Sequence, residues 1–255
     1  MPGAKPSDRC LPYILRLQGL IEEIDDAMSG SNFDQSMPAS PHSMEEIRCI
    51  RRSYISVKAS ITFPIGASPM MYLQLQMIDL LTCYHAIENA PSVLYQTIEW
   101  GFTDPQLLNS LSQAISAAKS LLDAVLYPYA NPISLPIAGW EMLYRALPLA
   151  VRLDSIAANV TDRTNQLRKI LDLPYVIRQV VLRMEQIVDV RSNQDGKGLF
   201  HQLRRQAGEL EQLYMESPNE HESLRSETPS YGDFYTLDPA LTLTQCDEID
   251  VMLGL

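Results

Sequence analysis

Glycine is scarce in this 255-residue chain, with 11 residues, histidine scarcer with four, and no run of Lys or Arg exceeds two. Each shortage excludes a class of function. The one candidate phosphate loop, Gly196-Lys197-Gly198, lacks the preceding glycine and the hydroxyl residue that such a loop needs, and reads as a turn. The four cysteines, Cys10, Cys49, Cys83 and Cys246, are scattered, with no pair at metal-ligand spacing. No bound metal or cofactor is therefore expected, and a reduced compartment is. The uncharged runs are broken by Pro, Ser or Asn, so no transmembrane helix is expected. The N-terminus has no basic region followed by an apolar stretch and a small-residue cleavage site, which argues against secretion. Without a basic stripe to neutralise phosphates, direct DNA binding is not expected either.

What the chain does have is acid, unevenly spread. The net charge is −11, yet residues 216 to 255 hold nine Asp or Glu against one Arg, so −8 falls there and −3 on the preceding 215 residues. A near-neutral body precedes an acidic end. From residue 217 the polar stretch SPNEHESLRSETPSYGD cannot bury enough apolar surface to order itself, which predicts a disordered acidic-apolar tail over 217–255. Near its end, acidic residues alternate with Phe234, Tyr235 and Leu237, and then with Ile249, Val251, Met252 and Leu253. Those seven are candidates for docking into a partner's groove by coupled folding.

In the body, apolar residues recur at intervals of three and four, the period of a helix with one buried face. The stripes run Ile14, Leu17, Ile21, Ile24, Met28, then Ile47, Ile50, Tyr54, Val57, Ile61, then Leu73, Met77, Leu80, Tyr84, Ile87. Ser68-Pro69 and Asp104-Pro105 mark two helix starts by an N-cap and a proline at the first helical position. A fourth stripe passes through Leu108, Leu111, Ile115, Ala118, Leu122 and Val125. The segment 134–153, SLPIAGWEMLYRALPLAVRL, is apolar on nearly every side, so it belongs among other helices, with Pro148 accommodated as a kink and Glu141 and Arg145 able to pair. Asp162 is a candidate cap for a short helix through Leu171, Pro174 opens another along Ile177, Val181, Met184 and Val188, and a last helix carries Phe200, Leu203, Ala207, Leu210 and Tyr214. No segment alternates as a strand. The expectation is an all-α, irregular multi-helix bundle of about seven to nine helices over residues 1–216, with a polar Ser/Pro linker at 29–43.

Residues suited to catalysis do not gather. His42 and His221 fall in polar linkers, His85 reads as helix packing, and His201 as a solvated helix-start residue. The acidic cluster Glu22, Glu23, Asp25, Asp26 resembles one half of a magnesium site of an all-helical enzyme but has no second carboxylate-rich motif in the body, so it reads as a solvated helix end. Arg48, Arg51 and Arg52 form the most compact basic group, placed to pair with carboxylates of the first helix or to contact a partner. No catalytic residue is assigned.

Several segments, taken in order, resemble a known family. SLSQAISAAKSLLDAVLYPYANPISLPIAGWEMLYRALPLAVRL resembles the helix, proline-rich turn and Trp-bearing helix of the fungal-specific regulatory domain of zinc binuclear cluster transcription factors. MYLQLQMIDLLTCYHAI is similar to that domain's preceding helix, and NQLRKILDLPYVIRQVVLRMEQI with GKGLFHQLRRQAGELEQLY to its last helices. The six clustered cysteines that hold zinc in that family are absent, and the body matches only the C-terminal portion of the usual region. The resemblance implies a nuclear transcription regulator or co-regulator with no DNA-contacting module of its own, serving a metabolic or secondary-metabolite pathway. Its partners would be a coactivator or a longer regulator, or a second copy in a homodimer if missing helices leave an apolar patch exposed. A helical module binding an apolar metabolite is the alternative, and an all-helical enzyme using Asp25 and Asp26 a weaker one.

Overall fold

The structure is a computed structural model that describes residues 6–29, 41–90, 105–126, 136–160, 164–190 and 198–216. Those residues form eight α-helices: α1 (Pro6–Ser29), α2 (Pro41–Ser60), α3 (Pro69–Glu88), α4 (Pro105–Leu126), α5 (Ile137–Val160), α6 (Thr164–Leu171), α7 (Leu173–Val190) and α8 (Leu199–Glu216). One 3-10 turn, Ile65–Ala67, leads into α3. Among the described residues no strand occurs, so the all-α expectation holds. The caps assigned to Asp104 and Asp162, most of the 29–43 linker and the 217–255 segment lie outside the described residues.

At the centre is α3. Thirteen of its residues are buried, and they include positions on all sides of the rod: Leu73, Gln74, Leu75, Met77, Ile78, Leu80 and Leu81 follow one another almost without a gap. A helix apolar all round must be enclosed, and α1, α2, α4 and α5 enclose this one. The sequence reading assigned that position to the 134–153 segment alone. The structure divides it, since α5 is buried through Trp140, Leu143, Ala146, Leu147, Ala150 and Leu153 but leaves Glu141, Tyr144, Arg145 and Pro148 half-buried.

The start of α3 follows local chemistry. Ser68 is extended, with φ −134° and ψ 107°, and its side chain accepts a hydrogen bond from the Met71 amide, while Pro69 gives up no amide the helix could have used. Two prolines lie inside helices, Pro12 in α1 and Pro148 in α5. Each removes the backbone bond to the carbonyl four residues earlier, that of Asp8 or Tyr144. Packing on α4 and α3 carries α5 unbroken across that gap.

The helical stripes read from sequence are the buried faces. Leu17, Ile21, Ile24 and Met28, then Ile47, Ile50, Tyr54 and Val57, and all five α3 positions are below a tenth exposed. Leu111, Ile115, Ala118 and Leu122 bury α4 against α3 and α5. The α7 and α8 helices pack on each other and on α5, with Ile177, Val181, Met184, Leu203, Ala207 and Leu210 in one continuous core. Between α6 and α7 a single residue, Asp172, takes a left-handed backbone with φ 45°, and its amide bonds the Arg168 carbonyl at 2.9 Å. That is the geometry of a helix C-terminal stop, in a residue type that tolerates it.

Trp140 joins α5 to α8: it is 3 % exposed and meets the Phe200 ring edge to face at 5.6 Å between centroids. Truncation to alanine removes a large buried aromatic from a site with rigid neighbours, so Trp140→Ala is expected to cost about 3 to 5 kcal/mol in a urea unfolding titration followed by circular dichroism. A variant as stable as the parent would place this helix elsewhere.

Candidate functional site

The seven tail residues named as docking candidates, Phe234, Tyr235, Leu237, Ile249, Val251, Met252 and Leu253, lie outside the described residues. Within the body, polar groups are arranged as ties between helices. The most enclosed is built on Asp154 of α5, 4 % exposed, whose two carboxylate oxygens accept from Arg168 Nε and Nη2 of α6, both at 2.9 Å. Tyr214 of α8 donates its hydroxyl to the same carboxylate at 3.1 Å. The pair of parallel bonds uses the fixed fork of the guanidinium, and it pushes the Arg168 pKa further up. Burial and the neighbouring Asp154 charge push the Tyr214 phenol well above its usual range, which keeps it protonated and donating.

Three further ties follow the same principle. Arg145 of α5 reaches Asp25 of α1, the one member of the acidic cluster that turns inward. Burial raises the Asp25 pKa, and the Arg145 charge opposes that rise. Glu22, Glu23 and Asp26 stay exposed, as a solvated helix end. Glu88 of α3 accepts from Tyr84 and pairs with Arg152 of α5 at 2.9 Å. Lys58 of α2 bonds both the Tyr54 hydroxyl, at 3.0 Å, and Asp79 of α3, at 3.1 Å, while Tyr54 donates to the Leu75 carbonyl at 3.3 Å. Gln206 breaks the pattern, with both polar atoms of its side-chain amide buried and no hydrogen-bond partner.

Thiol chemistry needs a cysteine and a histidine to converge, and Cys83 and His85 do not. Burial raises the Cys83 thiol and lowers the His85 ring pKa. Both directions oppose a thiolate–imidazolium pair. Their spacing of two residues also puts them on opposite sides of α3. Cys83 Sγ instead faces Gln113 of α4 at 3.6 Å, and His85 Nε2 lies 3.3 Å from Asn89 Nδ2. His85 is thus a packing residue, and His201 is half-exposed on α8. Among the described residues no group of three or more His, Cys, Asp or Glu is arranged to hold a metal ion, and no helix is long and apolar enough to cross a membrane.

Arg48, Arg51 and Arg52 are exposed on α2. Arg48 and Arg52 pair with Glu45 of the same helix, at 3.4 and 3.0 Å, and not with the first helix as the spacing had suggested. They are joined by Ile55, 58 % exposed, on a cationic face of α2.

Two measurements probe the ties. Arg168→Met leaves the Asp154 carboxylate buried and unpaired, and is expected to cost about 3 kcal/mol, the low end for a buried pair because Arg168 itself is a quarter exposed. Adding Asp154→Leu should return most of that loss, as read by the urea midpoint. For His85, the folded pKa lies below the ordinary 6.5. The unfolded chain therefore binds the proton first, and stability falls as pH drops below about 6.5. His85→Gln is expected to flatten that limb of a plot of stability against pH between 6.5 and 5, two values in the range where an unperturbed histidine titrates.

No family model, no curated protein and no solved structure matches this chain.

Proposed function

We propose that this chain is a transcription regulator or co-regulator of the nucleus that acts through protein partners, with a helical body as scaffold and the acidic-apolar C-terminal segment as the element that engages a coactivator. The observation that carries this reading is the partition of charge: −8 over the last 40 residues against −3 over the preceding 215, with bulky apolar residues set between the acids. Carboxylates keep such a segment solvated while free, and the apolar side chains supply contact area once a groove is offered. The body supports the same division of labour. Its enclosed polar groups bind helix to helix, as in the Asp154, Arg168 and Tyr214 cluster. Service to a metabolic or secondary-metabolite pathway is part of this reading on the strength of the family resemblance alone.

Fusing residues 216–255 to a heterologous DNA-binding domain is expected to activate a reporter. Replacing Ile249, Val251 and Leu253 with serine should abolish the activation while leaving every charge in place. A segment that only confers solubility would leave the reporter silent in both cases, and that outcome overturns the activator reading.

A further inference from the structure

The cationic face of α2 has a definite geometry. Ile55 lies one turn from both Arg51 and Arg52 and two turns from Arg48, and Lys58 follows it by three residues, so a single exposed isoleucine sits among four cations. One edge of this face borders α3: Lys58 bonds Asp79 of α3, and the Arg51 charge is close enough to Cys83 of α3 to act on its thiol. Arg51 pairs with no carboxylate among the described residues, and Arg48 and Arg52 share the single carboxylate of Glu45 in solvent-exposed pairs. Such exposed pairs are held weakly and exchange readily for other anions.

We propose that this face of α2, at its seam with α3, is the docking surface for the chain's own acidic-apolar segment, residues 233–253. The complementarity is of charge and of shape class together. Asp247, Glu248 and Asp250 match the three arginines, and Ile249 and Val251, set between those acids, match Ile55. Length permits it. Helix α8 ends at Glu216, and the 39 residues that follow have a contour of about 130 Å when extended, against a radius of gyration of about 17 Å for a body of this size, so the segment can reach any surface. The consequence is a body and a segment that compete with outside partners for each other. Docking in cis needs only the charge and apolar pattern of the segment, and it holds or fails whether or not that segment activates transcription.

Cys49, exposed on α2 beside the arginines, supplies the probe, since Cys10 and Cys83 are buried. With Cys246 changed to serine, a nitroxide on Cys49 of the full chain is expected to broaden the amide signals of residues 247–253 at low salt. The signals should return at about 1 M salt, where the screening length falls to about 3 Å. They should also return in the Arg48→Glu, Arg51→Glu, Arg52→Glu variant, and in Asp247→Asn, Glu248→Gln, Asp250→Asn, which leaves the body untouched. Unbroadened signals at low salt overturn the proposal, as does broadening that survives both sets of substitutions. Broadening that arises only when nitroxide-bearing and isotope-labelled chains are mixed assigns the segment to a second copy, and also overturns docking in cis.

Discussion

The enclosure of α3 is the constraint from which the rest of the body follows. An apolar rod of 20 residues can be kept from water only by neighbours on every side, and α1, α2, α4 and α5 are those neighbours. Hydrophobic burial is non-directional and would by itself accept many arrangements of five rods. Direction comes from the few polar groups caught in the packing. Tyr54, Gln74, Tyr84 and His85 each sit below a tenth exposed, and the bonds of Tyr54 to the Leu75 carbonyl and of Gln74 to Gln18 fix α2 and α1 in register on α3. Helix packing sets the stability, and these bonds select one packing among the alternatives.

Charge is handled differently inside and outside this frame. Within it, the carboxylates drawn furthest toward the core meet a guanidinium, as Asp25 meets Arg145 and Asp154 meets Arg168. An ion left alone there would cost far more than the pair. On the surface, α2 carries cations in excess while the end of the chain carries acids in excess. The folded body thus uses its enclosed charge to hold itself together and leaves one cationic helix face exposed to solvent.

Local features were legible in the sequence and distant pairings were not. Ser68 and Pro69 announce the start of α3 because cap and helix lie within four residues of one another. Stripes such as Leu73, Met77, Leu80, Tyr84 and Ile87 give the buried face because period alone decides it. By contrast Asp25 and Arg145 are 120 positions apart, and Asp154 and Tyr214 are 60 apart. Nothing in either neighbourhood names its partner, since the pairing exists only once the rods are assembled. Local spacing around Arg145 suggests only Glu141 as a partner and gives no sign that it reaches across to α1, where burial of Asp25 makes an opposite charge most valuable. Arg48 and Arg52 show the reverse, a contact expected between helices and satisfied three and seven residues away on their own. The encirclement of α3 was not legible from its stripe, because polar residues such as Gln74, Thr82 and His85 are buried on its other sides and only the assembled neighbours enclose them.

Asp172 has a consequence for how this fold can change over time. It is a one-residue joint between α6, which carries Arg168 into the polar cluster, and α7, which carries Val176, Ile177 and Val180 into the core. Both sides of the joint are anchored, so an added residue there would swing α7 by about 100° about its axis, given 3.6 residues per turn, and present its polar side to the interior. Insertions and deletions should therefore accumulate in the other connections of this lineage and spare this one, making the 171–173 step a fixed length against which divergent sequences can be aligned.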